Sequence, residues 1–275
     1  MNLFNRVNYE NESHSHLTEN LPISLCNSEV GFLYHYQPQM PRLLLVIPCH
    51  NEADRIVHGL ERLAAEAPGL NVRVLLADNG STDRMEEVVA GLQGRFPFPV
   101  EHHALSRRAD KGLAIHRAWR SHAEGCDVLG YCDADMAAAP EALLRAMQLI
   151  VANQADMVVG DRWHPLSVIE GRSFLRAFLS CFLSILWRVL PRSGMNDPGC
   201  GLKVVRTAAF RAVAFPHDLG GFAFGARVGA KLRRNGYRVV AIPVRWQAGP
   251  RSRVGVLRAA AHYARAWVAL LLTWR

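Results

Sequence analysis

From residue 42 onward this sequence alternates short, continuous apolar runs with apolar residues at helical spacing, and few folds accommodate that pattern. Residues 43–48 (LLLVIP) carry no polar interruption, as in a strand buried on both faces of a parallel sheet. Behind them Ile56, Leu60, Leu63 and Ala67 recur at i, i+4, i+7 and i+11, the spacing of one helix face, until Pro68-Gly69 ends the run. Residues 72–77 (VRVLLA) repeat the strand pattern, and Ser81 or Thr82 can cap a helix reaching about Leu92. Further strands are expected near 99–104, at Val128–Cys132 and at Asp156–Gly160, with helices over 111–123 and from Pro140-Glu141. Strands and helices in turn argue for an α/β fold: a doubly wound, mostly parallel, Rossmann-like sheet. Ligands of such sheets gather beyond the carboxyl ends of the strands, so the polar residues after each strand are the ones to read for chemistry.

Those residues are Cys49-His50-Asn51-Glu52 after the first strand, Asp78-Asn79-Gly80-Ser81-Thr82-Asp83 after the second, and Asp133-Ala134-Asp135 after the fourth. Each segment alone is ambiguous, since D-x-G-S serves equally well as a turn and helix cap. Their placement at three strand ends of one sheet points to a shared site. Asp133 and Asp135 share a face of an extended or turning segment. Two carboxylates there suit Mg²⁺ or Mn²⁺, which completes its shell with substrate phosphates and water. The chain has no phosphate-binding G-x-x-x-x-G-K-[ST] and no G-x-G-x-x-G after the first strand, which argues against kinases, GTPases and dehydrogenases.

With 275 residues, half of them hydrophobic, the chain can bury a core without staples, and the composition excludes a disordered, collagen-like or disulfide-stapled protein. Its net charge of +8 is unevenly spread. Residues 1–161 hold 13 Arg/Lys against 21 Asp/Glu, whereas residues 162–275 hold 19 against 3. The second half therefore faces a polyanion: a phosphate substrate, an anionic membrane or a nucleic acid. It carries no recognisable nucleic-acid-reading motif, so no nucleic-acid partner is expected. The six cysteines form no C-x-x-C pair and no zinc spacing, which predicts reduced, mostly buried thiols of a cytoplasmic protein. Residues 1–40 are polar and aperiodic, with no signal-like apolar stretch, and predict a flexible tail. No run of 18 uncharged apolar residues predicts a membrane span.

Taken in order, VIPCHNE, ADNGSTD, KGLA, YCDADM, GDR and DPGCGLK resemble the family 2 glycosyltransferases of GT-A fold. The subgroup is the dolichyl-phosphate mannosyltransferase-like or polyprenyl-phosphate glycosyltransferases, and the likeness runs from residue 42 to about 258. It implies that Asn51, Glu52 and Asp78, with Pro48 beside them, contact the nucleoside of a nucleotide-sugar. It also implies that Lys111 and Gly112 border that nucleoside and that Asp133 and Asp135 hold the metal. The family more often has Tyr at His50, Asp at Asn79, a polar residue at Ala137 and Asn-x-Gly at Arg108-Ala109-Asp110. The last departure leaves UDP and GDP donors both open.

In the basic half, Arg176 precedes Ser180 by four, which puts both on one face of the helix expected over Gly171–Leu190. The resemblance implies that Arg162, Arg176 and Ser180, with Lys203 or Arg206 after the DPGCG turn, hold the acceptor phosphate and donor diphosphate. Asp135, Arg162, Arg176 and Asp197 are then the catalytic candidates. The same helix is broadly apolar, interrupted by Arg172, Arg176 and Arg188; it is too short to span a bilayer but suited to lie in its surface. Val254–Trp274 is amphipathic: Arg258, His262 and Arg265 form a stripe opposite Leu257, Ala261, Ala264, Val268 and Leu271. Trp267 and Trp274 suit interfacial anchors, with Arg251 and Arg253 at the headgroups; docking on the domain is the alternative. The expected organisation is a tail over 1–40, a transferase domain over 41–250 (nucleotide and metal half 41–161, acceptor half 162–250), and an interfacial helix over 251–275.

A sugar hydroxyl acceptor needs a base to take its proton, whereas a phosphomonoester, with a second pKa near 6, is already a nucleophile at neutral pH. Where the family usually carries an acidic residue, near Gly221–Ala230, this chain has Gly225-Ala226-Arg227. The expected activity is metal-assisted, inverting transfer from a nucleotide-sugar to a polyprenyl phosphate, by a protein peripheral at the inner, cytoplasmic membrane face. A hydroxyl acceptor with Asp197 as base is the alternative enzyme. A catalytically inactive, membrane-binding GT-A-like protein is the alternative of another class.

Overall fold

The computed structural model describes residues 40–105, 109–171, 174–189, 195–217, 219–248 and 256–273, with backbone alone for 174–176, 179, 256–259 and 273. Residues 1–39, Arg108, Arg172, Arg251, Arg253 and Trp274, and the side chains of Arg176 and Arg258, lie outside the described residues. The first half runs β1 (Leu43–Cys49), α1 (Ala53–Glu66), β2 (Val72–Asp78), α2 (Met85–Ala90), β3 (Val100–Ala104), α3 (Lys111–Ser121), β4 (Val128–Tyr131), α4 (Glu141–Val151) and β5 (Met157–Asp161). The second half runs β6 (Val168–Glu170), α5 (Phe174–Arg188), β7 (Lys203–Arg206), α6 (Thr207–Ala212), α7 (Phe224–Arg234), β8 (Val239–Pro243), β9 (Arg245–Gln247) and α8 (Val256–Thr273).

The apolar run of β1 explains the two-sided core. Leu43, Leu45, Ile47 and Cys49 point to one face, against Ile56, Leu60 and Leu63 of α1 and Leu143, Met147 and Ile150 of α4. Leu44 and Val46 point to the other, in the layer formed by Ile115 and Trp119 of α3 and Phe224, Val228 and Leu232 of α7. Each such fully buried side chain contributes about 1.5–3 kcal/mol, which is why a strand with no polar residue is stable only between two helical layers.

Seven strands form one sheet in the order β3-β2-β1-β4-β7-β5-β8. It is parallel except for β7, which runs antiparallel to both β4 and β5. The central position of β1, between β2 and β4, opens a crevice beyond the carboxyl ends of β1 and β4. Because β7 is reversed, Lys203 pairs with Tyr131 at the crevice edge and Arg206 with Val128 at the far edge. A short parallel pair, β6 and β9, stands apart from this sheet.

The second helix starts later than its sequence suggests. Ser81 is not its cap: its N–H donates to Asp78 Oδ1 at 2.8 Å and its hydroxyl accepts from the Asn51 N–H at 3.0 Å. Those bonds spend the cap residue on holding two loops together. Cys49, Cys126, Cys132 and Cys200 are buried free thiols, and burial pushes all four pKa values up.

Helices α5 and α8 pack together: the Trp267 indole N–H donates to the Leu186 carbonyl at 2.8 Å, and Trp187 meets Tyr263 edge-on. One face of α8 docks through Tyr263 and Ala266. The outer faces expose Phe178, Phe182 and Ile185 on α5, Val189 just beyond its end, and Val268, Leu271 and Leu272 on α8. Among the described residues no helix is long and apolar enough to cross a membrane.

Helix α1 lies directly on the loop that carries the paired aspartates. A Cβ at Gly59 would overlap the carbonyl oxygen of Ala134, between Asp133 and Asp135. Alanine is preferred over glycine in a helix by about 1 kcal/mol. Here the clash with rigid backbone outweighs that preference, so Gly59→Ala should lower stability by about 1–3 kcal/mol. Urea unfolding reads this directly, and an unchanged or raised stability contradicts the packing argument.

Candidate active site

Three loops at the carboxyl ends of β1, β2 and β4 build the acidic side of the crevice. Asn51 adopts φ 59°, a left-handed conformation that asparagine tolerates better than most residues. Its Oδ1 accepts from the N–H groups of Thr82 and Asp83 at 2.7 and 3.2 Å. That oxygen is therefore committed to clasping the β1 and β2 loops, not to a nucleoside. Asp78 is buried at the end of β2, with Oδ1 on the Ser81 N–H and Oδ2 3.2 Å from His102 Nε2. Burial works to raise its pKa, but the bonds from Ser81 and His102 outweigh it and hold the carboxyl below its ordinary value. Pro48 is half-buried in β1, beside these loops.

The two aspartates after β4 are held differently. Lys111, at the start of α3, bonds its ammonium to Asp133 Oδ1. Asp110 positions it by capping the helix, accepting from the Leu113 N–H at 2.9 Å while also accepting from the Gly221 N–H at 2.7 Å. Gly112 follows because a Cβ there would overlap the Gly221 carbonyl and Phe224. Burial works to raise the Asp133 pKa, and Lys111 first among the nearby cations holds it below the usual range. Burial and the neighbouring Asp133 charge push Asp135 the other way. Asp135 Oδ1 accepts from the Ala137 N–H at 3.1 Å, and its Oδ2 lies 3.4 Å from Arg55 Nη1. Arg55 also pairs with Glu52, which opens α1.

The basic side is built around one buried ion pair. Arg162, directly after β5, donates from Nε to Asp197 Oδ2 at 2.6 Å and from Nη2 to Asp197 Oδ1 at 2.7 Å. The Arg162 and Gly199 N–H groups add two more bonds to the same carboxylate, each at 3.1 Å. Burial works to raise the Asp197 pKa, yet Arg162 holds it below the ordinary value, while the Arg162 pKa is raised. Asp197 is therefore not the free base that a hydroxyl acceptor requires. It is the counter-charge that fixes Arg162. Ser180 Oγ of α5 lies 3.4 Å from Arg162 Nη2. Arg176 sits one turn earlier on α5, with its side chain outside the described residues.

Two expected phosphate ligands are corrected. Lys203 is fully buried and donates to the carbonyls of Cys200 and Pro198 at 2.6 and 3.3 Å. It braces the turn 197–201 from beneath, and burial pushes its pKa down to about 8. Arg206 lies at the opposite end of the sheet, on the Ile150 carbonyl, Asn153 and Asp156. The reversed direction of β7 separates the two. The braced turn matters to the acidic side, since a Cβ at Gly201 would overlap the Asp133 carboxylate.

Three side chains of the site went unread in the sequence. Arg55 had a usable signal, the i, i+3 acid–base spacing to Glu52. His102 had none, because strand pairing brings it to Asp78. Tyr263 of α8 had none either; its hydroxyl lies 2.9 Å from the Phe222 carbonyl and 3.2 Å from that of Pro198, tying α8 to the braced turn.

Comparison with known proteins gives the family and the fold. The sequence pattern of Glycosyl transferase family 2 matches residues 44–213. Glycosyltransferase AglD of Haloferax volcanii is 27% identical over 218 residues, covering 78% of this chain and 34% of that protein. Dolichol-phosphate mannosyltransferase of Pyrococcus furiosus is 27% identical over 176 residues, covering 62% of this chain and 48% of that protein. The chain thus spans about a third to a half of the length of these relatives. The mannosyltransferase PcManGT of Pyrobaculum calidifontis, solved in complex with GDP-Man and Mn²⁺, superposes with a TM-score of 0.60 at 21% identity, covering 84% of this chain and 64% of that one. Since the matching segment is well over half of the chain and carries Asp78, Lys111, Asp133, Asp135, Arg162 and Asp197, this protein belongs to glycosyl transferase family 2 and has the GT-A fold.

Proposed function

We propose that this chain transfers a sugar from a UDP- or GDP-linked donor to a polyprenyl phosphate, with inversion at the anomeric carbon. The observation that carries this reading is the buried Arg162–Asp197 pair. The acceptor side of the crevice offers a fixed guanidinium, and its buried carboxylates are already bonded. Asp197 is locked by Arg162, and Asp161 accepts from the Trp163 N–H at 2.8 Å and from Asn196 Nδ2 at 3.1 Å. A phosphate acceptor fits this chemistry, because it needs cations to orient it and no base to deprotonate it. The name of the Pyrococcus relative supports a lipid phosphate acceptor, and the donor in the Pyrobaculum complex supports a nucleotide-sugar.

Arg162, with Ser180 and the Arg176 position beside it, orients the acceptor phosphate. One of its oxygens attacks the anomeric carbon and forms the new C–O bond. The bond from that carbon to the diphosphate breaks, and its electron pair leaves with the nucleoside diphosphate. Lys111, fixed by the Asp110 cap, supplies positive charge on the leaving-group side. Asp133 and Asp135 fit a divalent ion of the Mg²⁺ or Mn²⁺ type: both are hard oxygen donors, and among the described residues they belong to no group of three or more His, Cys, Asp or Glu able to hold a metal alone. Held by Asp133 and Asp135, such an ion would neutralise the charge that develops on the leaving diphosphate.

The exposed apolar stripe of α5 and α8 supports a place at the membrane surface. Phe178, Phe182, Ile185 and Val189 fall at i, i+4, i+7 and i+11, and exposed Arg188 suits anionic headgroups. The protein is then peripheral at the inner face, with the prenyl chain lying beside α5.

The direct test incubates purified protein and membranes with labelled UDP- and GDP-sugars and polyprenyl phosphate. Label should become chloroform-extractable, and should be lost with EDTA and in Asp135→Ala; label confined to water-soluble glycans would overturn the reading in favour of a hydroxyl acceptor. A second expectation separates ion pair from base. Asp197→Asn should destabilise the protein by about 3–5 kcal/mol by leaving Arg162 unpaired. Arg162→Met/Asp197→Leu should recover most of that stability in chemical unfolding but no transfer. A stable Asp197→Asn with lost activity would restore Asp197 as a base. Third, Phe178→Glu/Phe182→Glu should abolish cosedimentation with anionic liposomes while leaving the thermal midpoint within a few degrees; undiminished sedimentation argues against this face.

A further inference from the structure

Both carboxylates of the paired aspartates already face a cation from the protein itself. Lys111 approaches Asp133 from α3, and Arg55 approaches Asp135 from the first turn of α1. Arg55 is shared, with Nη2 on Glu52 and Nη1 3.4 Å from Asp135 Oδ2. The Arg55, Glu52 and Asp135 side chains are only 16–18% exposed, so solvent screens these pairs less than surface ones. The backbone of the same loop is held too, since Arg62, two turns further along α1, donates to the Met136 carbonyl at 2.8 Å. Helix α1 thus fixes both Arg55 beside the Asp135 carboxylate and the backbone of the loop that carries it.

The charge balance of the cluster then has a consequence. Glu52, Asp133 and Asp135 supply three negative charges, and Arg55 and Lys111 supply two positive ones. A dication entering this cluster alone leaves it with an excess positive charge. Entering with a diphosphate, it leaves the cluster no more positive than before. Without Arg55 the dication alone would be balanced.

We propose that Arg55 is the built-in counter-cation of Asp135, competing with a divalent ion for that carboxylate and yielding it when the donor diphosphate arrives. The inference rests on the reading that Asp133 and Asp135 hold such an ion. It assigns Arg55 the role of a positioning residue that couples metal affinity to donor binding. A bare ion is bound weakly, and ion and nucleotide strengthen each other's binding by the same factor.

The test measures free Mn²⁺ by electron paramagnetic resonance while the purified full chain is titrated, with and without UDP or GDP. Arg55→Gln, with Arg55→Met as a second neutral variant, should bind Mn²⁺ alone about tenfold more tightly than the wild type. Nucleotide should then strengthen Mn²⁺ binding far less in these variants than in the wild type. Arg55→Lys, which keeps the charge, should stay near the wild-type values. A purely structural role would instead weaken Mn²⁺ binding in all three variants. Unchanged or weakened binding in the neutral variants overturns the proposal while leaving the metal reading intact. Absence of Mn²⁺ binding by the wild type even with nucleotide, or binding insensitive to Asp135→Asn, overturns the metal reading and the proposal together.

Discussion

The rest of the active-site architecture depends on how this protein manages charge inside a hydrophobic sheet. Burying one arginine and one aspartate costs several kcal/mol per ion, recovered only with good geometry and with the remaining hydrogen-bonding capacity satisfied. The Arg162–Asp197 pair meets both conditions: two side-chain bonds and two backbone N–H groups converge on a single carboxylate. Because that pair joins the end of β5 to the turn after Met195, it determines where the turn lies. The turn in turn limits the space around Asp133 through Gly201 and receives α8 through Tyr263. One ion pair thereby connects the basic wall, the aspartate pair and the C-terminal helix.

The uneven distribution of charge along the chain takes on a physical meaning in this arrangement. The acidic half contributes Glu52, Asp78, Asp133 and Asp135, and the basic half contributes Arg162 from the opposite wall of the same crevice, with Lys203 buried beneath the turn behind it. Long-range influence of Lys203 and Arg162 reaches Asp133 across that crevice. The split along the sequence is a split between two walls of one crevice.

Of the strands, β1, β2, β4 and β5 were legible within a residue or two because a strand buried on both faces is apolar almost throughout, and β3 was placed by the alternation of elements; β6 to β9 were not read. The D-x-D pair was legible because it follows such a strand. What stayed hidden depends on tertiary direction. Nothing in the four residues KVVR says that they form a strand running antiparallel, and that direction decides that Lys203 reaches the crevice edge while Arg206 does not. Asp197 reads as an acid, and only its neighbours show that both of its oxygens are taken. Ser81 has the side chain of a helix cap, and its hydroxyl is drawn instead to the Asn51 N–H by the approach of a neighbouring loop.

The shortness of β7 has a consequence for variation within such a chain. Its four residues alternate between the two faces of the sheet, so one inserted residue would exchange the positions of Lys203 and Val204. The ammonium would then face the opposite layer and the turn would lose its brace. The stretch from Asp197 to Arg206 therefore behaves as a ruler whose length is dictated by the sheet. Insertions that reshape what the crevice accepts can be accommodated only outside that interval, where the chain leaves the sheet and no register is at stake.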